Sequence, residues 1–146
     1  MAVTVTPYDH TLSRFQSGAN AVGDTYKVNL YSVFVFDATA TTKAAAESGA
    51  TQLSTANGYT QDDKALADVA VSIVTTNDSK FDATDPSWTA SGGDIGPASY
   101  ALLYNDTDTD DPPVCCIDFG EAKTANTGTP FIIQFNSAGI MTLTYT

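Results

Sequence analysis

The chain is poor in the side chains that carry most catalytic and cofactor chemistry. It has one histidine, His10, two cysteines that stand side by side, Cys115 and Cys116, and six Lys and Arg against fifteen Asp and two Glu. With a single His and no separated cysteines, zinc has no evident ligand set. A Ser–His–Asp or Cys–His arrangement would have to run through His10, and no Gly-x-Ser-x-Gly elbow accompanies it. A lone His in a polar segment is ordinarily an exposed side chain. Gly92-Gly93-Asp94-Ile95-Gly96 has no following Lys and places an acid where a phosphate would approach, so it does not read as a phosphate loop. The adjacent cysteines give no disulfide framework. They are either a strained vicinal disulfide or two reduced thiols in a strand, and the second is the commoner state. The formal net charge of −11 opposes binding to nucleic acid, which depends on Lys and Arg displacing counterions, and to anionic membranes. No apolar run approaches the length of a membrane span. Met1–Tyr8 has neither the basic nor the apolar stretch of a signal peptide, so synthesis in the cytoplasm is expected.

What remains is a composition suited to strands. The 146 residues suit one domain, and 42% hydrophobic against 16% charged residues is too apolar for a disordered chain. Thr and aromatics are abundant, which favours strand over helix. Met1–Val22 is mostly polar and reads as an N-terminal arm, with 23–146 as the single domain. Tyr26–Tyr31 alternates with period two, and Val33–Phe36 continues it as an apolar run suited to burial on both faces. Thr41–Ser48 is the one helical segment, capped by Thr41 or Thr42 and stopped at Gly49. Asn57-Gly58 is a turn. Further strands are expected at Val69–Val74, with Val69, Val71 and Ile73 on one face, at Lys80–Ala83 as an edge, and at Tyr100–Tyr104, Val114–Phe119 and Phe131–Phe135. A last strand follows Gly139 and ends near Tyr145. Asn77-Asp78-Ser79 marks another turn. Short strands punctuated in this way predict an all-β, β-sandwich or jelly-roll-like single domain with one short helix.

Three groups of residues are candidates for chemistry. The loop Asn105–Asp111 places Asp106, Asp108 and Asp110 at alternate positions, as a calcium loop begins. Pro112 and Pro113 then stand where a Gly turn and further ligands are needed, and a solvated Asp-rich tip is the simpler reading. Glycoside hydrolysis needs two carboxylates across a cleft, and the only Glu residues, Glu47 and Glu121, fall in a helix and a turn. Trp88 with Tyr100 or Tyr104 would make a platform for a sugar, although aromatics flanking strands more often pack in cores or interfaces.

Several short stretches together carry a resemblance. They are Asn57-Gly58-Tyr59-Thr60, Lys64-Ala65-Leu66, Phe81-Asp82-Ala83 and Trp88-Thr89-Ala90. They continue with Ala98–Asp106, Ile117-Asp118-Phe119-Gly120, Gly128-Thr129-Pro130-Phe131 and Phe135–Ile140. In this order they resemble a family of small virion structural proteins of tailed bacteriophages, over about Asp24 to Ile140. Gln61-Asp62-Asp63 replaces the Gly-rich turn usual after Gly-Tyr-Thr, and Ser99 stands where an Arg is common.

The resemblance implies a particle component without enzymatic activity or cofactor. It points to a capsid decoration (cement) protein on the outer capsid surface, made in the host cytoplasm. The implied partners are the major capsid protein and further copies of the chain, as a homotrimer. The arm supplies the interface candidates Val3, Val5, Tyr8, Arg14 and Phe15. Its Val3-Thr4-Val5-Thr6 is strand-like and suits addition to a neighbour's sheet edge, or else it is a disordered tail. On this view, deleting Met1–Tyr8 weakens particle binding and spares the fold. A tail or fibre component that binds a host glycan through Trp88, and a polysaccharide hydrolase, are the alternatives.

Overall fold

The computed structural model describes residues 3–76 and 78–144. Asn77 of the expected turn, Tyr145 at the expected end of the last strand, and Met1 lie outside them. Strand outweighs helix, 44% against 8%, so the domain is all-β as expected.

Its centre is an antiparallel five-stranded sheet. The long hairpin of β7 (Ile95–Asn105) and β8 (Pro113–Ala125) occupies the middle. β2 (Tyr26–Val33) pairs with β7, and the two-residue β3 (Thr51–Gln52) pairs with β2 at one edge. β1 (Thr4–Pro7) pairs with β8 at the other, Thr4 opposite Asp118 and Pro7 opposite Cys115. Two smaller antiparallel sheets complete the fold. One has the order β10 (Met141–Thr144), β5 (Asp78–Asp82), β4 (Ala70–Thr75). The other joins β6 (Ser87–Thr89) to β9 (Pro130–Ile132).

Period-two alternation divides the central sheet into two faces. Tyr26, Val28 and Leu30 of β2, Ala101 and Leu103 of β7, and Cys115, Ile117 and Phe119 of β8 face the main core. There they meet Phe81, Trp88 and Phe131 from the smaller sheets. The intervening Tyr31, Leu102 and Cys116 face a second cluster with Tyr8, Phe34 and Ala46. Each large side chain removed from water in this way contributes about 1.5–3 kcal/mol. The same alternation sends Cys115 and Cys116 to opposite faces, and both are free thiols. Burial, then the nearby Asp118 carboxylate, pushes the Cys116 thiol up to about 12, so it is not a nucleophile at neutral pH.

The turn at Asn57-Gly58 forms as expected, with Gly58 at φ 92°. A Cβ on Gly58 would lie 2.1 Å from the Thr89 carbonyl oxygen, so only glycine lets this turn seat against β6.

Four expectations change. Residues 3–22 are not a free arm. β1 completes the chain's own sheet, and residues Thr11–Ser17 form a second short helix, α1. Gly18 stops α1 at φ 79° with its N–H donating to the Phe15 carbonyl, and the Thr11 hydroxyl donates to the Val114 carbonyl. The expected helix is shorter, α2 (Lys43–Ala46), with the Thr42 hydroxyl accepting from the Ala45 N–H as its cap. Val33–Phe36 is not buried on both faces: the chain leaves the sheet after Val33, and Val35 and Phe36 lose their flanking strands and are exposed. Lys80–Ala83 is not an edge, because β10 returns from the far end of the chain and pairs with the free side of β5.

Candidate functional site

The residues singled out in the sequence are mostly consumed by the fold. Val3 and Val5 pack against the main core from the β1 segment. Tyr8 is buried against Phe36, ring centroids 4.9 Å apart, and Phe15 lies 5.0 Å from Phe81. His10 Nε2 lies 2.9 Å from the Pro113 carbonyl. These are contacts within one chain, and they explain why the segment is ordered.

The acidic loop does not converge. Asp106 pairs with Lys27 at 2.8 Å and Asp108 with Arg14 at 2.7 Å. The Arg14 guanidinium, hydrogen-bonded to Asp108, holds that carboxyl below its usual range. The Asp110 carbonyl accepts from the Lys43 N–H. Two of the three carboxylates are thus aimed at different cations, and among the described residues no three His, Cys, Asp or Glu side chains gather as a metal site.

Trp88 is 4% exposed and lies between Tyr59 and Phe131 in the main core. Tyr104 is buried under the Lys43 ammonium instead. Trp88 therefore packs in the core, the reading favoured for aromatics flanking strands, and is not presented as a sugar platform. A groove of about 1010 Å³ opens beside β1, lined by Val3, Val5, Phe135 and Met141, with Asp85 as its carboxylate and Lys123 as its cation. Asp85 Oδ1 is already taken by the Phe135 N–H at 2.8 Å. Glu121 pairs with Lys123, and Glu47 accepts from the Tyr31 hydroxyl at 2.6 Å.

A polar network that the sequence did not announce joins α2 to the central sheet. Asn29 is fully buried in β2, and its Nδ2 donates to Asp62 Oδ1 at 2.5 Å. The Asp62 N–H donates back to Asn29 Oδ1, and Lys43 Nζ lies 2.5 Å from Asp62 Oδ1. The signal was Asn29 itself, since a polar residue within an apolar strand must find a partner. Partial burial raises the Asp62 pKa, but hydrogen bonds from Lys43 and Asn29 outweigh it and leave the group below its ordinary value. The stabilisation is complete above the unfolded carboxylate value and is lost as pH falls through the lower folded one. Asp62→Asn is expected to cost about 1 kcal/mol at pH 7, the value of a charged hydrogen bond discounted for its exposure. It should also flatten the decline of melting temperature below about pH 4. Melting curves from about pH 2 to 7, spanning the carboxylate range, check both.

One surface is not consumed. On the β10–β5–β4 sheet, paired residues share a face. Val71, Phe81 and Met141 form one row, and Ile73, Ser79 and Leu143 the next. Phe81 is buried in the core and Val69 packs against it. Outward from there the same face is uncovered: Val71 is 50%, Leu143 49% and Ile73 84% exposed. Val71 and Ile73 share a face as expected, but the strand overhangs the body and only its Val69 end reaches the core. β4 is also the last strand of its sheet, exposed at all six positions and without Lys, Glu, Asp or Pro. Edge strands normally carry such residues to prevent pairing. A bare, uncharged edge beside an apolar face is open to pairing with another strand.

The fold and this surface define an all-β domain with an exposed strand edge. Compared with protein-family models, characterised proteins and solved structures, the chain matches none.

Proposed function

We propose that the chain is a structural component of a bacteriophage particle, a decoration protein that binds the outer capsid surface and holds neighbouring capsid subunits together. The observation that carries this reading is the uncovered β4 edge with Val71, Ile73 and Leu143 on a strongly acidic domain. The net negative charge keeps the protein soluble, while the exposed apolar side chains provide adhesion. The order of short motifs between Asp24 and Ile140, similar to that of small phage virion proteins, supports the same role. The negative surface suits the outside of a shell, away from packaged DNA. The major capsid protein is the proposed partner, and a homotrimer is the proposed assembly. Light scattering on the purified chain tests the trimer.

The role of the surface is tested by adding purified chain to capsids that lack it and measuring the bound mass after sedimentation. Ile73→Lys places a charge on a highly exposed position, so it should leave the melting temperature within about 2 °C of the parent and lower capsid occupancy by roughly tenfold. Undiminished occupancy would overturn the assignment of this surface.

A further inference from the structure

The docking reading can be taken to a partner of stated chemistry, and the inference rests on that reading. We propose that β4 receives an extended segment of a partner protein as an added antiparallel strand, and that this segment alternates apolar residues and carries Lys or Arg at both ends. Three observations point there. First, β4 ends its sheet, and no backbone hydrogen bond to another strand is made on its outer side among the described residues. Main-chain pairing therefore supplies the affinity, as in other strand additions. Second, Val71 and Ile73 are presented together on one face of β4, with Leu143 on the same face two strands away beyond Ser79, so alternate side chains of an incoming strand extend the apolar row of β4. Third, the charges are one-sided. Asp68 precedes the strand and Asp78 follows its turn. Among the described residues their side chains accept only from neutral threonine hydroxyls, Thr84 and Thr75 respectively. The one cation of this sheet, Lys80, is already paired with Asp82 at 2.8 Å.

The same charges argue against a second copy as the occupant. Two-fold antiparallel pairing of β4 with itself would bring Asp68 of one copy towards the Asp78 turn of the other. A segment with basic ends meets the two carboxylates with opposite charge.

The test uses the isolated full chain and a fluorescent peptide, Lys-Thr-Val-Thr-Val-Thr-Lys, followed by anisotropy. Saturable binding is expected that weakens with added salt. Replacing both terminal Lys by Glu should weaken it by roughly tenfold. Methylating every central backbone nitrogen, which removes the donors and keeps the charge, should abolish it. The double variant Val71→Thr, Ile73→Thr keeps strand propensity and should also lose roughly tenfold while melting as the parent does. Absence of saturable binding, equal binding of the methylated peptide, or a dimer of the chain alone that the double variant dissolves would each overturn the proposal. A chain that occupies capsids but ignores the peptide overturns this mode of pairing and leaves the particle role standing. A chain that binds the peptide but no capsid does the reverse.

Discussion

Trp88→Ala lowers the unfolding free energy by about 3–5 kcal/mol, the range for removing a buried aromatic and leaving a cavity. The indole is 4% exposed and contacts Tyr59 and Phe131, and the Lys64 ammonium lies 5.3 Å from its centroid. β6 is only three residues long and β9 matches it, with Trp88 directly opposite Phe131. A two-stranded ribbon of this size is not stable alone, so the Trp88–Phe131 pair is what fastens it to the central sheet. Urea titration should show the loss, with a normal slope if the native fold persists. Had Trp88 served as an exposed sugar platform, the same change would cost little stability. A loss below about 1 kcal/mol would contradict the core assignment.

Deletion of residues 1–8 has the second largest effect, and it is an effect on folding. β1 covers the edge of β8, and Tyr8 is 2% exposed among Phe36, Leu102 and Cys116. Removing the segment exposes the β8 edge and uncovers the second cluster. Tyr8 alone contributes about 1.5–3 kcal/mol by burial, and the lost strand adds to it. A fall of about 3 kcal/mol or more is expected, together with a tendency to aggregate through the freed edge. Tyr8→Phe is the control. The buried hydroxyl has no hydrogen-bond partner among the described residues, so its removal should be neutral or stabilising. Unchanged stability on deletion would restore the view of an independent arm.

These two cases separate what local sequence carries from what it does not. Strand positions were legible where alternation was strong, as at Tyr26–Tyr31, because period two is a local property. The Asn57-Gly58 turn was legible for the same reason, and so was the helix cap to within Thr41 or Thr42. Partners were not. Thr4–Pro7 is as strand-like as a free arm would be. Only its register on β8 makes it part of the sheet, with Thr4 opposite Asp118, Val5 opposite Ile117, Thr6 opposite Cys116 and Pro7 opposite Cys115. A pairing between residues so distant in the chain leaves no mark on either segment alone.

The exposure of Ile73 has the same origin. Alternation put Val71 and Ile73 on one face correctly, but how far that face reaches over the body depends on where β5 and β10 sit. Of the candidate surface, the strand and its apolar face were therefore legible, while the bareness of its edge and outer half was not. In the acidic loop, alternate Asp residues left open a cation site or a solvated tip, and nothing in the sequence signalled that Lys27 and Arg14, distant in the chain, each take one of them.

The central claim is that this acidic all-β domain is a part of a phage particle that adheres through β4. The most direct test is a cryo-electron microscopy reconstruction of the particle carrying the chain. The account predicts density for this fold on the outer surface of the shell, with the β4 edge against a segment of the capsid protein. Density confined to the tail or the shell interior, or an outer position with β4 facing solvent, would contradict it.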